Sequence, residues 1–267
     1  MAGKRSKLNN NGDAFAGIAN YYDAIMGHVD YDRWALIASE LANLLPPHFN
    51  HLDVACGTGH LMEILQDAGW NSIGLDLSAS MARTAAQSLR TPRIAVADMR
   101  ALPIRESVNY ITCLFDSVNF LLTENDVRSA MNAFAGALTD GGVLYFDTVT
   151  ERMIVDHFAD QKWTEQNQGF QTTWDSKFDR AAGLSVTEIT VSHGERCTVR
   201  EQVYAPSVID DAIAGAGLAL LGAFDAETWR KPRKKTVRIE YVAAKNPTKD
   251  QRRNIKTISQ TIRSLMR

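Results

Sequence analysis

Residues 14–45 carry apolar side chains at helical spacing. Trp34, Ile37, Leu41, Leu44 and Leu45 share one face, and Pro46-Pro47 stops the run. Beyond it, short apolar strands alternate with amphipathic helices. HLDVA (51–55) is predicted as a strand, followed by a helix striped by Leu61, Ile64, Leu65 and Ala68 that ends at Gly69. NSIGLD (71–76) is the second strand, and Ser78 caps a helix on which Met81, Ala82, Ala85 and Leu89 align. RIAVAD (93–98) and YITCLFD (110–116) read as further strands. Thr123 and Asp126 form a T-x-x-D cap ahead of Val127, Ala130, Met131, Phe134, Ala137 and Leu138, and VLYFD (143–147) is the fifth strand. Strands separated by helices imply right-handed crossovers and a doubly wound, mostly parallel α/β sheet covered on both faces.

After residue 150 the period changes. A short helical piece near 151–158 leads into TTWDSKFD (172–179), LSVTEITV (184–191) and ERCTVREQVY (195–204). Their alternation predicts a small antiparallel insert with turns at Ala181-Ala182-Gly183 and His193-Gly194. Ser207 is expected to cap a helix running to Gly217, and LALLGAF (218–224) and TVRIEYVAA (236–244) close the sheet. Residues 249–267 read as an amphipathic helix with Ile255, Ile258, Ile262 and Leu265 on one side, a stripe that suits docking on the protein's own body as well as a membrane or partner. The expected organisation is an N-terminal extension (1–13) without order, a main domain over 14–245 whose insert at about 160–205 forms part of an acceptor pocket, and a basic tail over 246–267.

Composition narrows the class. Apolar residues make 45% of the 267 and charged residues 22%, which fits a folded soluble chain with a sizeable core. No apolar run approaches the ~18 residues of a membrane helix, and the basic, polar MAGKRSKLNNNGD start is not a secretory signal. Cys56, Cys113 and Cys197 are odd in number and far apart, which fits a reducing cytoplasmic setting rather than a disulfide framework or a cysteine zinc site. The net charge of −2 hides a segregation: RKPRKKTVR (230–238) holds six basic and no acidic residues, and 245–267 holds seven basic residues and one acid. The rest of the chain is therefore acidic. Such runs serve as solvated loops and tails, or as a patch for a phosphate-bearing partner.

The chemistry lies at the strand ends, several of which finish in aspartate: Asp76, Asp98, Asp116 and Asp147. In an open α/β sheet, ligands bind in the crevice at the carboxyl ends of the strands. DVACGTGH (53–60) places Gly57 and Gly59 between a strand and a helix, where glycine lets the backbone turn and approach a ligand. Asp76, at the end of the next strand, can accept hydrogen bonds from ribose hydroxyls, so the pair reads as a nucleoside site. The dinucleotide pattern G-x-G-x-x-G requires a third glycine at residue 62, which is Met62, and the G-K-[ST] of a phosphate loop is absent. A Y-x-x-x-K at Tyr241 to Lys245 sits on a late strand and is read as coincidence.

DVACGTG, with GLD at 74–76 and VADMR at 96–100, resembles the class I S-adenosylmethionine (SAM)-dependent methyltransferases, a Rossmann-like family. FAGIANYYDAIMGHVDYDRW (15–34), CLFDSVNFLL (113–122), LTDGGVLYFD (138–147) and TTWDSKFD extend the likeness to a subgroup of small bacterial methyltransferases, over about residues 14–245. Ala55 stands where that family usually has glycine. The resemblance implies SAM as cofactor and S-adenosylhomocysteine as product. It implies that Asp53, Ala55, Gly57 and Gly59 lie under the methionine portion, Asp76 holds the ribose, Leu77 lies beside the adenine, Asp98 accepts from its amino group and Met99 packs on the ring. Phe115 is implied as the floor, with Tyr21 or Tyr22 and Trp34 closing the site from the N-terminal helix. Each aromatic suits an ordinary core position as well.

Methyl transfer from a sulfonium needs an acceptor placed in line, worth ~7–11 kcal/mol in favourable cases. It needs a base only where the acceptor must lose a proton first. The candidates are Asp116, His193 and Glu195. The six histidines show no metal-ligand spacing, so no metal is expected. Trp163, Phe170, Trp174, Phe178 and Tyr204 are the natural lining of the acceptor pocket, or equally the apolar face of the insert; some of this surface could pack a second subunit, so monomer and homodimer both stay open. The leading expectation is methylation of an amine or hydroxyl on a small molecule. The alternatives are RNA, plausibly tRNA, held by the 230–238 loop and basic tail, and a SAM-binding module without catalysis.

Overall fold

The computed structural model describes residues 13–266; the N-terminal extension expected at 1–13 lies outside them except for Asp13. The N-terminal run is not one helix. It divides into α1 (Tyr22–Ile25) and α2 (Tyr31–Ala42). The break spans residues 26–30, and the Asp30 carboxylate restarts the helix by accepting the Arg33 N–H at 2.9 Å. The alternating part then runs β1 (Asn50–Val54), α3 (His60–Asp67), β2 (Asn71–Asp76), α4 (Ala79–Ser88), β3 (Ile94–Val96), β4 (Val108–Cys113), α5 (Glu124–Ala137) and β5 (Leu138–Val149). Ser78 and Thr123 cap α4 and α5 as their spacing implies, accepting from the Met81 and Asp126 N–H groups. After α6 (Glu151–His157) come the strands of the insert, β6 (Lys162–Gln166), β7 (Gln171–Asp179), β8 (Leu184–Val191) and β9 (Arg196–Gln202). Then follow α7 (Pro206–Gly215), β10 (Leu218–Asp225), β11 (Arg238–Lys245) and α8 (Lys249–Leu265). The expected cap at Ser207 is wrong. Pro206 opens α7, with Ser207 already inside the helix, and the N-cap position falls on Ala205, whose methyl group has no acceptor for a capping hydrogen bond.

The main sheet has the order β10-β11-β5-β4-β1-β2-β3, and only β11 runs against its neighbours. The smaller sheet, β6-β7-β8-β9, is antiparallel throughout. The central strands bury both faces. Leu52, Val54, Ile111, Cys113, Leu144 and Phe146 pack with α5 and α7, while Tyr110, Val143, Tyr145, Val242 and Ala244 pack with α2, α3 and α8. All three cysteines are free, and among the described residues no helix is long and apolar enough to cross a membrane.

Two segments close the architecture. The N-terminal segment crosses to the small sheet, where Ile18 and Ile25 bury against Phe170, Trp174, Ile189, Val191 and Cys197. Residue 17 is glycine because a Cβ there would collide with the Arg196 carbonyl. At the other end, α8 lays Ile255, Ile258 and Ile262 on the α2 face of the sheet, leaving Leu265 half exposed. A capping box at Thr248 and Gln251 starts it, and the Gln251 amide donates to the Leu44 and Gly141 carbonyls. The stripe is thus covered by the protein itself. Ile262 is fully buried, so Ile262→Ala should lower the unfolding free energy by ~2–4 kcal/mol in urea titration. A change below ~1 kcal/mol would mean that α8 adds little to the fold.

Candidate active site at the carboxyl edge of the sheet

The chain leaves β1 through a loop in which Ala55, Gly57 and Gly59 all have positive φ, at 57°, 57° and 88°. For Gly59 the lack of a side chain is also spatial, since a Cβ would press on Ala85 and Leu89 at 3.2 Å. Around Gly57 there is nothing within 4 Å of that position, so the loop faces open space. Asp76 fixes the loop from β2: one carboxylate oxygen accepts the Gly57 N–H at 2.8 Å and the other the Ser78 N–H at 2.7 Å. Burial raises the Asp76 pKa, and these two N–H groups partly offset it. Beyond it Leu77 is 63% exposed, as is Val96 at 56%, which pairs with Asp76 in register. Two exposed aliphatic side chains beside a carboxylate suit the flat face and ribose of a nucleoside. The N-terminal segment spans this edge. The Thr58 hydroxyl donates to Asp23, Asp13 accepts the Ser80 N–H at 2.9 Å, and the Tyr31 ring lies 4.6 Å from that of His60.

Asp53 lies inside β1, buried, on the same sheet face as a line of polar groups. The Thr112 hydroxyl donates to it at 2.6 Å, His51 Nε2 lies 2.9 Å from that hydroxyl, and His51 Nδ1 lies 2.9 Å from the Ser72 hydroxyl. Burial pushes His51 down to about 3, so its ring is neutral, and pushes Asp53 up to about 7.

A second group of acids gathers over β4 and β5. Asp147 is not at a strand end, because β5 continues to Val149; it is fully buried. Arg238, at the start of β11, pairs with Asp147 and, at 2.7 Å, with Asp116, while Asp147 also accepts the Asp116 N–H at 3.0 Å. Phe115 and Asp116 reach these positions through positive φ, 62° and 51°. The Arg238 guanidinium lies 5.6 Å from the Phe115 ring and 5.8 Å from that of Trp34. From the small sheet, Glu201 approaches Asp116. Burial and then the Asp116 charge raise its pKa well above the carboxylate range. Burial also raises Asp147, against the pull of Arg238. Three carboxyl groups therefore share one guanidinium. Asp147 Oδ1 and Trp34 Nε1 are buried here without hydrogen-bond partners. Tyr22, half buried, lies close to Asp116 and Asp76.

Other expected site residues lie elsewhere. Burial would raise Asp98, but its bonds to the Arg100 guanidinium and N–H hold it below its usual value; it caps a short turn, and Met99 packs on the main core. Tyr21 turns away from Tyr22. Its hydroxyl donates to Glu195 at 3.1 Å and lies 3.4 Å from His193 Nδ1, on the edge of the small sheet, and its ring packs on Phe170. The proposed aromatic lining does not form one wall. Trp163 and Trp174 stack at 5.4 Å within the small-sheet cluster, Phe178 packs with Val149 and Ile154, and Tyr204 packs on the main core with its hydroxyl on the Leu121 carbonyl. Tyr241 is buried against Phe146 and Lys245 pairs with Glu106, so the Y-x-x-x-K is a structural coincidence. Glu201 and Arg238 are the members that sequence reasoning missed. Arg238 was counted in the basic run, and its place first in a strand beside VLYFD was the available signal.

A glycine-turned loop after the first strand, an acid closing the second and an antiparallel β11 between β5 and β10 give the main sheet a Rossmann-like arrangement. Residues 52–142 match the family described as "Methyltransferase domain". YqeM of Bacillus subtilis (strain 168), a methyltransferase by provisional assignment, is 30% identical over 166 residues, spanning 61% of this chain and 66% of that protein. The dTDP-4-amino-2,3,4,6-tetradeoxy-D-glucose N,N-dimethyltransferase of Saccharopolyspora spinosa is 34% identical over 47% of this chain and 51% of its own length. The crystal structure of a SAM-dependent methyltransferase from Clostridium acetobutylicum ATCC 824 superposes with a TM-score of 0.75 at 26% identity, covering 86% of this chain and 98% of that one. The chain spans just under two thirds of the Bacillus relative and about half of the Saccharopolyspora one. Residues 52–142 thus carry a methyltransferase domain, and over most of its length the chain is similar to a solved SAM-dependent methyltransferase.

The raised Asp53 predicts a specific pH dependence. Its folded value, about 7, exceeds the ordinary 3.8, so its cost to stability is absent in acid and develops as pH rises from about 4 to about 7. Asp53→Asn, which still accepts from Thr112, should gain Tm relative to the parent on moving from pH ~4.5 to pH ~8. Equal Tm differences at both pH values would show that Asp53 is ionised in the fold at no cost.

Proposed function

We propose that the protein transfers the methyl group of SAM to an amine on a small-molecule acceptor, held over β4 and β5 by Asp116 and Glu201. The observation that carries this reading is the excess of carboxyl groups around one guanidinium: Asp116, Asp147 and Glu201 against Arg238. A cationic amine complements that excess, whereas a hydroxyl does not. The names of the amino-sugar N,N-dimethyltransferases among the relatives support an amine.

The described residues fit the cofactor: open space over Gly57, a carboxylate at Asp76 with lone pairs left beyond its two N–H partners, and exposed apolar Leu77 and Val96 beside it. In this reading Gly57, Gly59 and Ala55 lie under the methionine portion with Asp53 behind them. Asp76 holds the ribose, and Leu77 and Val96 flank the adenine. Asp98, engaged by Arg100, is a less available acceptor for the adenine amino group. When bound, SAM would supply an activated methyl group for the acceptor nitrogen, with S-adenosylhomocysteine as the leaving product. The protein's own work is placement and proton removal. Asp147 and Arg238 hold Asp116 in position, Phe115 and Trp34 wall the site, and Glu201 takes the proton that the amine must lose to expose its lone pair.

Calorimetric titration with SAM should give micromolar binding to the parent and none to Asp76→Ala. No binding to the parent would remove the assignment of these residues. Glu201→Gln should keep SAM affinity while slowing turnover of an amine acceptor by ~10²–10⁴-fold and flattening the acid side of its pH profile. If a hydroxyl analogue of the acceptor were turned over as fast as the amine, the carboxyl cluster would not be what selects the acceptor.

A further inference from the structure

The basic run 230–238 divides into two parts in the fold. Arg238 points inward to Asp116 and Asp147. The residues before it form the turn between β10 and β11, at the same sheet edge. This turn is braced rather than loose. The Thr236 hydroxyl donates to Asp225, the Arg233 N–H donates to Thr236 at 2.9 Å, and the Thr228 N–H donates to Asp225 at 2.9 Å. Trp229 is fully buried, and its carbonyl accepts from Arg263 Nε at 2.9 Å, which ties the turn to the end of α8. Between turn and helix lies a hollow of about 410 Å³ lined by Arg230, Lys231, Pro232, Arg233 and Arg263. Among the described residues none of its four cations has a carboxylate within 4 Å. Holding like charges together in a rigid hollow costs free energy that an anion would offset. Guanidinium groups pair with phosphate oxygens in bidentate fashion. The cations converge on one concavity instead of following a groove, which favours a compact phosphate group over a nucleic-acid backbone.

We propose that this hollow is an anion site that takes a phosphate or diphosphate group carried by the methyl acceptor. Its first part, anion binding, stands on the hollow alone. Its second part rests on the reading of the neighbouring edge as the transfer site.

The test uses the full chain and titrates inorganic pyrophosphate by calorimetry at low salt, with SAM in a parallel titration. Pyrophosphate should bind to the parent, and Lys231→Gln/Arg233→Gln should weaken it at least about tenfold, with SAM affinity unchanged. Both side chains are exposed, so the double variant should fold. A nucleoside diphosphate should then compete with pyrophosphate, and a short single-stranded RNA should bind no better than the nucleoside diphosphate. No pyrophosphate binding, or binding unmoved by the double variant, overturns the site. RNA binding that is tighter, with a salt slope of several released ions, overturns the small acceptor as the phosphate's source. Pyrophosphate binding in a protein that fails to bind SAM leaves the anion site standing while the proposed function falls.

Discussion

Asp147 has no contact with water, and a full negative charge cannot remain at such a place without a counter-charge. Arg238 provides it, and the demand for that pair organises much of the molecule. It requires β11 to lie beside β5 with Arg238 at the edge where β5 ends. It also draws Asp116 into an unusual backbone conformation so that its own N–H can reach Asp147. The guanidinium then sits near the Trp34 and Phe115 rings, joining α2 to the sheet. Removing one partner of such a pair is costlier than never having built it, since the other is left buried and uncompensated.

A second buried carboxylate, Glu240, repeats the arrangement one pleat away. It accepts from Arg33, from the Tyr145 hydroxyl and from Trp229 Nε1. Alternate positions on β11 thus carry Arg238 and Glu240, and the latter anchors both α2 and the 226–237 turn. The acidic body and basic end of the sequence therefore interlock through these residues rather than forming two separate surfaces.

Much of this was legible in the sequence, and the limits have physical causes. The β1 loop was legible because Gly57 and Gly59 mark a backbone path that few other residues follow, and because Asp76 falls at the end of an apolar run. The alternation of strands and helices declared the parallel sheet. Long-range pairing was not legible. Nothing local distinguishes Arg238 from the five basic residues before it, although one is neutralised inside the protein and the others face outward. Glu201 looked like any polar residue on an alternating strand. Phe178 and Tyr204 looked equivalent to Trp174, but Trp174 and Phe178 lie four residues apart on one face of β7 and meet different elements along it, and Tyr204 lies past the end of β9, so three different clusters receive these side chains. Ala55 shows the reverse case: the sequence marked it as a departure, and the fold holds it at a φ of 57°, where glycine would be easier.

The N-terminal segment has a consequence for how the chain is made. Tyr21 and Glu195 are bonded across 174 positions of sequence, and Ile18 and Ile25 bury against residues of the small sheet. At ~5–20 residues per second, roughly ten to thirty-five seconds of synthesis separate the emergence of this segment from that of its docking surface. Residues made among the first are thus among the last to be seated. During that interval their apolar face lacks the small-sheet residues that cover it in the finished fold.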